Sequence, residues 1–150
     1  MEAFAQSTLL KGGDARAHLP NTLTTLKAFF RFVALIDSSG TFVHEDINRV
    51  GDNFKQIAHK FIFKFGDVDR EIMDDVFDRL EAYYGFLASR KILAAEDFNL
   101  FRKKIYAMRE ELIRKMERYN AIRIDDSMDE DPKEEIREEL FEGDHAWPHF

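Results

Sequence analysis

The side chains able to move protons or hold a metal are His18, His44, His59, His145 and His149, together with 29 aspartates and glutamates. The paired glutamates and paired Glu-x-x-His motifs that carboxylate-bridged metal bundles place on facing helices are not found. His145 and His149 are spaced for one helix face, but Pro148 interrupts the turn between them and breaks the zinc pattern. In residues 37–48, Asp37, Ser39 and Thr41 occupy the first, third and fifth positions of a calcium loop. Phe42 then stands where that loop requires glycine and Asn48 where it requires a bidentate glutamate. Residues 125–136 fail in the same way, with Glu130 at the glycine position and Ile136 at the last ligand. The chain has no cysteine, so thiol chemistry and thiolate metal sites are excluded. It also has no glycine-rich phosphate loop and no Ser-His-Asp arrangement. The expectation is a protein that is not an enzyme and needs no cofactor or metal.

The elements that must position these side chains read as helices. Leu23, Leu26, Phe30 and Val33 recur at helical spacing after Pro20 and Asn21. Asp37-Ser38-Ser39-Gly40 stops this stripe. Ile47, Val50, Phe54, Ile57, Phe61 and Phe65 make a second, which Gly66 is suited to cap. Asp67 can cap the next start, and Met73, Val76, Leu80, Tyr83 and Leu87 form the third stripe, interrupted by Gly85. After a turn over residues 89–93, Phe98, Phe101, Ile105, Met108, Leu112, Met116 and Tyr119 predict the longest helix, about 40 Å. Four amphipathic segments with short turns and no strand-length alternation predict an all-α fold. Its body is an antiparallel four-helix bundle-like arrangement over residues 21–123, preceded by an irregular lead over residues 1–20.

Charge divides the chain near Ile124. Residues 124–144 hold eleven acidic side chains against Lys133 and Arg137, about −9, whereas the body before them is weakly basic, +2, in a total of −7. Residues 124–150 therefore read as an acidic C-terminal arm. It is more than a charge run. Asp131-Pro132-Lys133-Glu134 matches an N-cap, a first-turn proline and a capping-box glutamate, so a short helix should follow, with Ile136, Leu140 and Phe141 on its apolar edge. Gly143 can end it, and the chain closes on two aromatics, Trp147 and Phe150. An acidic ending with proline and phenylalanine is loosely similar to the tails of single-stranded-DNA-binding proteins. Those proteins use a β-barrel, and His149 here separates Pro148 from Phe150, so no residue role is carried over.

Two functional readings follow. In the first, the chain is a protein-protein interaction module, an inhibitor or a small subunit of a macromolecular complex that works through its acidic arm. Candidate partner contacts are Phe63, Leu140, Phe141, Trp147 and Phe150. Phe63 is included because it falls opposite Phe54, Phe61 and Phe65, beside Asp52, Gln56 and His59, and should face solvent unless residues 1–20 or a second copy cover it. Trp147 and Phe150 can equally dock on the chain's own body or on a twin. In the second reading, Arg114, Lys115 and Arg118 of the basic fourth segment contact nucleic acid and the arm competes for them. The interruption of the basic run by Glu110, Glu111 and Glu117 favours a blander use, pairing with the acidic third segment. The first twenty residues lack a secretory pattern, and the most apolar run, residues 26–36, is broken by Lys27 and Arg31, so a cytoplasmic location is expected.

Overall fold

A computed structural model describes residues 1–11, 13–36, 46–65 and 68–143, which form seven helices and no strand. The elements are α1 Glu2–Lys11, α2 Gly13–Ile36, α3 Ile47–Asp52, α4 Phe54–Phe65, α5 Arg70–Ser89, α6 Ala95–Arg123 and α7 Glu130–Phe141. The fold is all-α.

The lead expected to be irregular is helical. Gly13 takes φ +57°, a left-handed conformation that glycine adopts without a Cβ penalty, and this turns the chain from α1 into α2. Pro20 lies inside α2 rather than before it. Interior proline removes one ladder donor and crowds the preceding turn, at a cost of roughly 3 kcal/mol. Burial of Leu26, Phe29 and Phe30 downstream, and of Phe4 on α1 against Tyr83 and Phe86, supplies the opposing term. The second stripe is divided at Asn53 into α3 and α4. The amide of Asn53 still donates to Arg49 O, and Ile57 N to Asn53 O, so the ladder continues through a bend.

Caps also differ from expectation. Asp69 closes the start of α5 by accepting from Ile72 N at 2.8 Å, while Asp67 lies outside the described residues. The N-cap of α7 is Asp129, two residues before the expected Asp131, and no side-chain cap bond closes it. Pro132 then sits third in the helix, still in the first turn, where an amide has no intrahelical acceptor to lose.

Contact register gives the directions. Gly85 faces Phe98, Glu81 faces Arg102 and Tyr106, Asp74 faces Arg109, and Arg70 faces Glu117, so α5 and α6 form an antiparallel hairpin. A Cβ on Gly85 would meet the Phe98 ring at 3.3 Å, so the absence of a side chain at this break in the third stripe leaves room for that ring. Gly51 with Phe101, Asp52 with Lys104, His59 with Lys115 and Phe63 with Tyr119 advance together, so α3 and α4 run parallel to α6. The core is aromatic: Tyr84 packs on Phe101 at 4.9 Å, Phe77 on Tyr106 at 5.4 Å and Phe54 on Phe77 at 5.5 Å. All five residues of the third stripe are buried there, joined by Phe77 and Tyr84.

Candidate functional site

α4 is covered on two sides, which its amphipathic pattern did not suggest. Phe29 of α2 meets Phe54 and Phe61 on the apolar side. On the other side, His59 is fully buried and Phe63 is half-buried, covered by α6 and α7. Phe63 packs on Tyr119 at 5.7 Å and Phe141 at 6.1 Å, and Tyr119 and Phe141 meet at 5.3 Å. Phe63 is thus covered by Tyr119 of α6 and by Phe141 of the acidic arm. Phe63, Leu140 and Phe141, the candidate partner contacts, pack within the chain: Phe63, expected to face solvent, is half-buried, and Leu140 and Phe141 are buried, the latter with no exposed surface. The reason is that α7 turns its short apolar edge back onto the body. Each such side chain contributes about 1.5–3 kcal/mol when withdrawn from water.

Polar contacts surround this aromatic joint. Lys115, buried on α6, brings its Nζ to 3.1 Å from His59 Nε2, and the His59 ring stands edge-on to Phe141 at 5.5 Å. An ammonium has only donors, so the contact is a hydrogen bond when Nε2 is the acceptor, that is, with the ring proton on Nδ1. Just past the last residue of α7, Glu142 adopts φ +52°, uncommon for a residue with a side chain. Its carboxylate lies 2.7 Å from Lys55 Nζ on α4 and 3.7 Å from Lys115 Nζ. The hydrogen bond from Lys55, helped by the charge of Lys115, holds the Glu142 carboxyl below the usual carboxylate range. Gly143 follows at φ +83°.

Arg114, Lys115 and Arg118 do not form one open basic stripe. Lys115 is turned inward, and Arg114 is held by Glu111 through hydrogen bonds of 2.9 and 2.8 Å. That pairing, ahead of the burial that opposes it, lowers the proton affinity of Glu111. All three basic residues line a cavity of about 330 Å³ between α6 and α7, opposite Glu139 and Glu142. Arg102 and Arg109 are spent on α5, pairing with Glu81 at 2.7 Å and with Asp74. The expected attraction between the acidic and basic helices is therefore seen in the hairpin.

The outer face of α7 is acidic. Glu130, Asp131, Glu134, Glu135, Glu138 and Glu139 are exposed, with Arg137 drawn across to Glu130 at 2.6 Å and Glu134 at 2.9 Å. Trp147 and Phe150 lie outside the described residues. So do His44, His145, His149 and all but the last three positions of the calcium-like segment. Sequence reasoning missed His59 and Lys115 as a buried pair; the signal available was their shared turn register with Phe63 and Tyr119, four residues further along each helix.

A larger cavity, about 850 Å³, lies between α1, α2 and α5. Several of its polar groups are paired, Arg79 with Asp75 and Thr22 and Glu81 with Arg102 and Tyr106, while Arg90 lies over the Phe86 ring. Among the described residues, no group of three or more histidines, cysteines or carboxylates is placed to hold a metal ion, and no helix is long and apolar enough to cross a membrane. No family model, curated protein or solved structure matches the chain.

Proposed function

We propose that the chain is a non-enzymatic interaction protein that offers the outer face of α7 to a basic surface on another protein, as an inhibitor or as a small subunit of a complex. The supporting observation is the complete burial of Phe141 against His59, Phe63 and Tyr119. It fixes an acidic helix to the body, so six exposed carboxylates are held in place before any partner arrives. A segment that orders only on binding loses part of its interaction energy to that ordering; a docked helix loses less. Carboxylates so arranged suit a surface that otherwise receives phosphates, and they accelerate encounter with a basic partner. Trp147 and Phe150 would add buried area beside this face. The frame carrying α7 in this proposal is an antiparallel four-helix body of α2, α3 with α4, α5 and α6, with α7 as its acidic extension.

The test is capture of proteins from a cell extract by the full chain, by residues 1–123 and by E134K/E135K/E138K, each at two salt concentrations. Basic proteins retained by the full chain should be lost by both variants and weakened at least tenfold at high salt. Equal capture by all three would overturn the reading.

The second reading, a nucleic-acid-associated protein whose arm competes for its own basic helix, draws support from one contact, Glu142 beside Lys115. Under it, residues 1–123 should bind duplex DNA more tightly than the full chain does, with R114A/R118A flattening the salt dependence. Absence of binding by both chains would end it.

A further inference from the structure

The joint between α4, α6 and α7 places the Lys115 ammonium against the fully buried His59 imidazole, beside the Phe141 ring that anchors α7. From this geometry we infer that docking of α7 is proton-coupled, with His59 as the sensor: a neutral His59 holds the helix down and a protonated His59 releases it. The inference concerns the docking equilibrium of the isolated chain and stands whether or not α7 meets a partner.

His59 Nε2 is the acceptor for Lys115 Nζ at 3.1 Å. Protonation turns that acceptor into a donor, so the hydrogen bond is lost and two cations face each other where His59 has no exposed surface. Among the described residues, charged groups near the ring come from three helices. α6 contributes Lys115 and Glu111, α7 is followed by Glu142, and α4 itself brings Lys55. Glu111 is already bound by two hydrogen bonds to Arg114, and Glu142 by Lys55 at 2.7 Å with Lys115 at 3.7 Å, so both carboxylates near the ring already have cationic partners to share with an imidazolium. The cheaper response is movement of the lightest cover. That cover is α7, a helix of 12 residues which reaches the ring through Phe141. Lifting Phe141 opens His59 to water, where imidazolium is readily solvated.

The sign is fixed by linkage. His59 must be neutral when α7 is docked and is free to protonate when it is not, so docking is strongest above the ordinary imidazole range near pH ~6.5 and weakens as pH falls through it. Glu142 works in the same direction at a lower pH, because its carboxyl is held below the carboxylate range by Lys55 and Lys115. The two groups therefore give separate steps. The upper belongs to His59, and the undocked population should grow up to about tenfold per pH unit below its onset.

The experiment is amide hydrogen exchange of the full chain between pH 7.5 and 5.0, with rates corrected for the intrinsic dependence of exchange on pH. Protection over residues 133–141 should fall about tenfold or more across this range, while α5 keeps its protection. In H59Q, whose side chain retains an acceptor and cannot gain a charge, the fall over the same range should disappear. If H59Q does not fold, K115M serves instead. It removes the second cation and should shrink the fall at least threefold, its α5 protection reporting that the body is intact. A wild-type chain whose α7 protection is flat from pH 7.5 to 5.0 would overturn the inference, as would an undiminished fall in the folded variant.

Discussion

α6 meets its two sets of neighbours with the same residue types arranged in opposite ways. Against α5 the rings are inside and the charges outside: Phe77, Tyr84, Phe101 and Tyr106 make the seam, and Arg102 with Glu81, Arg109 with Asp74 and Arg70 with Glu117 lie along its rim. Against α4 and α7 a cation and an imidazole lie inside the joint with the rings, and Glu142 closes its edge. Rim pairs are screened by water and each contributes about 0.2–1 kcal/mol at most, so the hairpin tolerates changes in ionisation. A cation enclosed with a titratable acceptor does not, because any change in protonation leaves one group without its bond. Similar contacts thus make one interface a permanent seam and the other a conditional one.

The sharpest way to break this contrast is to remove one ring from each side. F77A and F141A should each lose about 3–5 kcal/mol of packing. The first should lower the denaturation midpoint of the whole chain in urea. The second should strip hydrogen-exchange protection mainly from α7 and leave α5 largely protected. Equal loss everywhere in both variants would show that α7 is as integral as the hairpin.

A smaller effect separates the rim from the interior. The Tyr106 hydroxyl donates to Glu81 at 2.7 Å, and its proton is held well beyond the usual phenol range, first by burial and then by that hydrogen bond and charge. A raised folded value means that this contribution is complete below pH ~10 and is lost as pH rises through the folded value. E81Q should cost about 1 kcal/mol at neutral pH and bring tyrosinate formation, followed by ultraviolet absorbance, part of the way back. An unmoved titration would leave burial and the charge of Asp78 as its causes.

The least change is expected at the exposed end of the joint. Glu142 and Lys55 are each about half exposed, so E142Q should cost less than about 1 kcal/mol near pH 7. The Glu142 carboxyl is depressed in the folded chain, so its contribution is present above the carboxylate range and lost as pH falls through the depressed value. The variant should lack that acid-side loss in a urea titration repeated at pH 3 and pH 5, while keeping the step assigned to His59.

The all-α class and the buried stripes were legible from spacing alone, because a helix repeats its faces every 3.6 residues and apolar side chains mark the face that leaves water. Met73, Val76, Leu80, Tyr83 and Leu87 are all in the core, as their spacing predicts. The first helix was expected to begin only after Pro20, and that residue lies inside α2. Pro20 disfavours a helix locally, but the packing of Phe29 and Phe30 further along belongs to the whole molecule and outweighs it. The candidate site was hardest to read, since periodicity identifies the first buried face of α4 and says nothing of a second helix arriving on the other. His59 and Phe63 look solvent-facing on one helix and are enclosed only when α6 and α7 are in place.

By itself, the sequence determined the all-α class, the apolar stripes beyond Pro20 and the concentration of acidic charge beyond Ile124, since these depend on neighbours a few residues apart. Only the tertiary structure decided that the acidic arm turns back on the body, that Phe141 is its anchor and that Lys115 faces His59. Those contacts join residues 56 positions apart on α4 and α6, and the final turn of α7 to both. No local preference encodes such a meeting. It depends on which faces remain uncovered after the rest of the chain has packed.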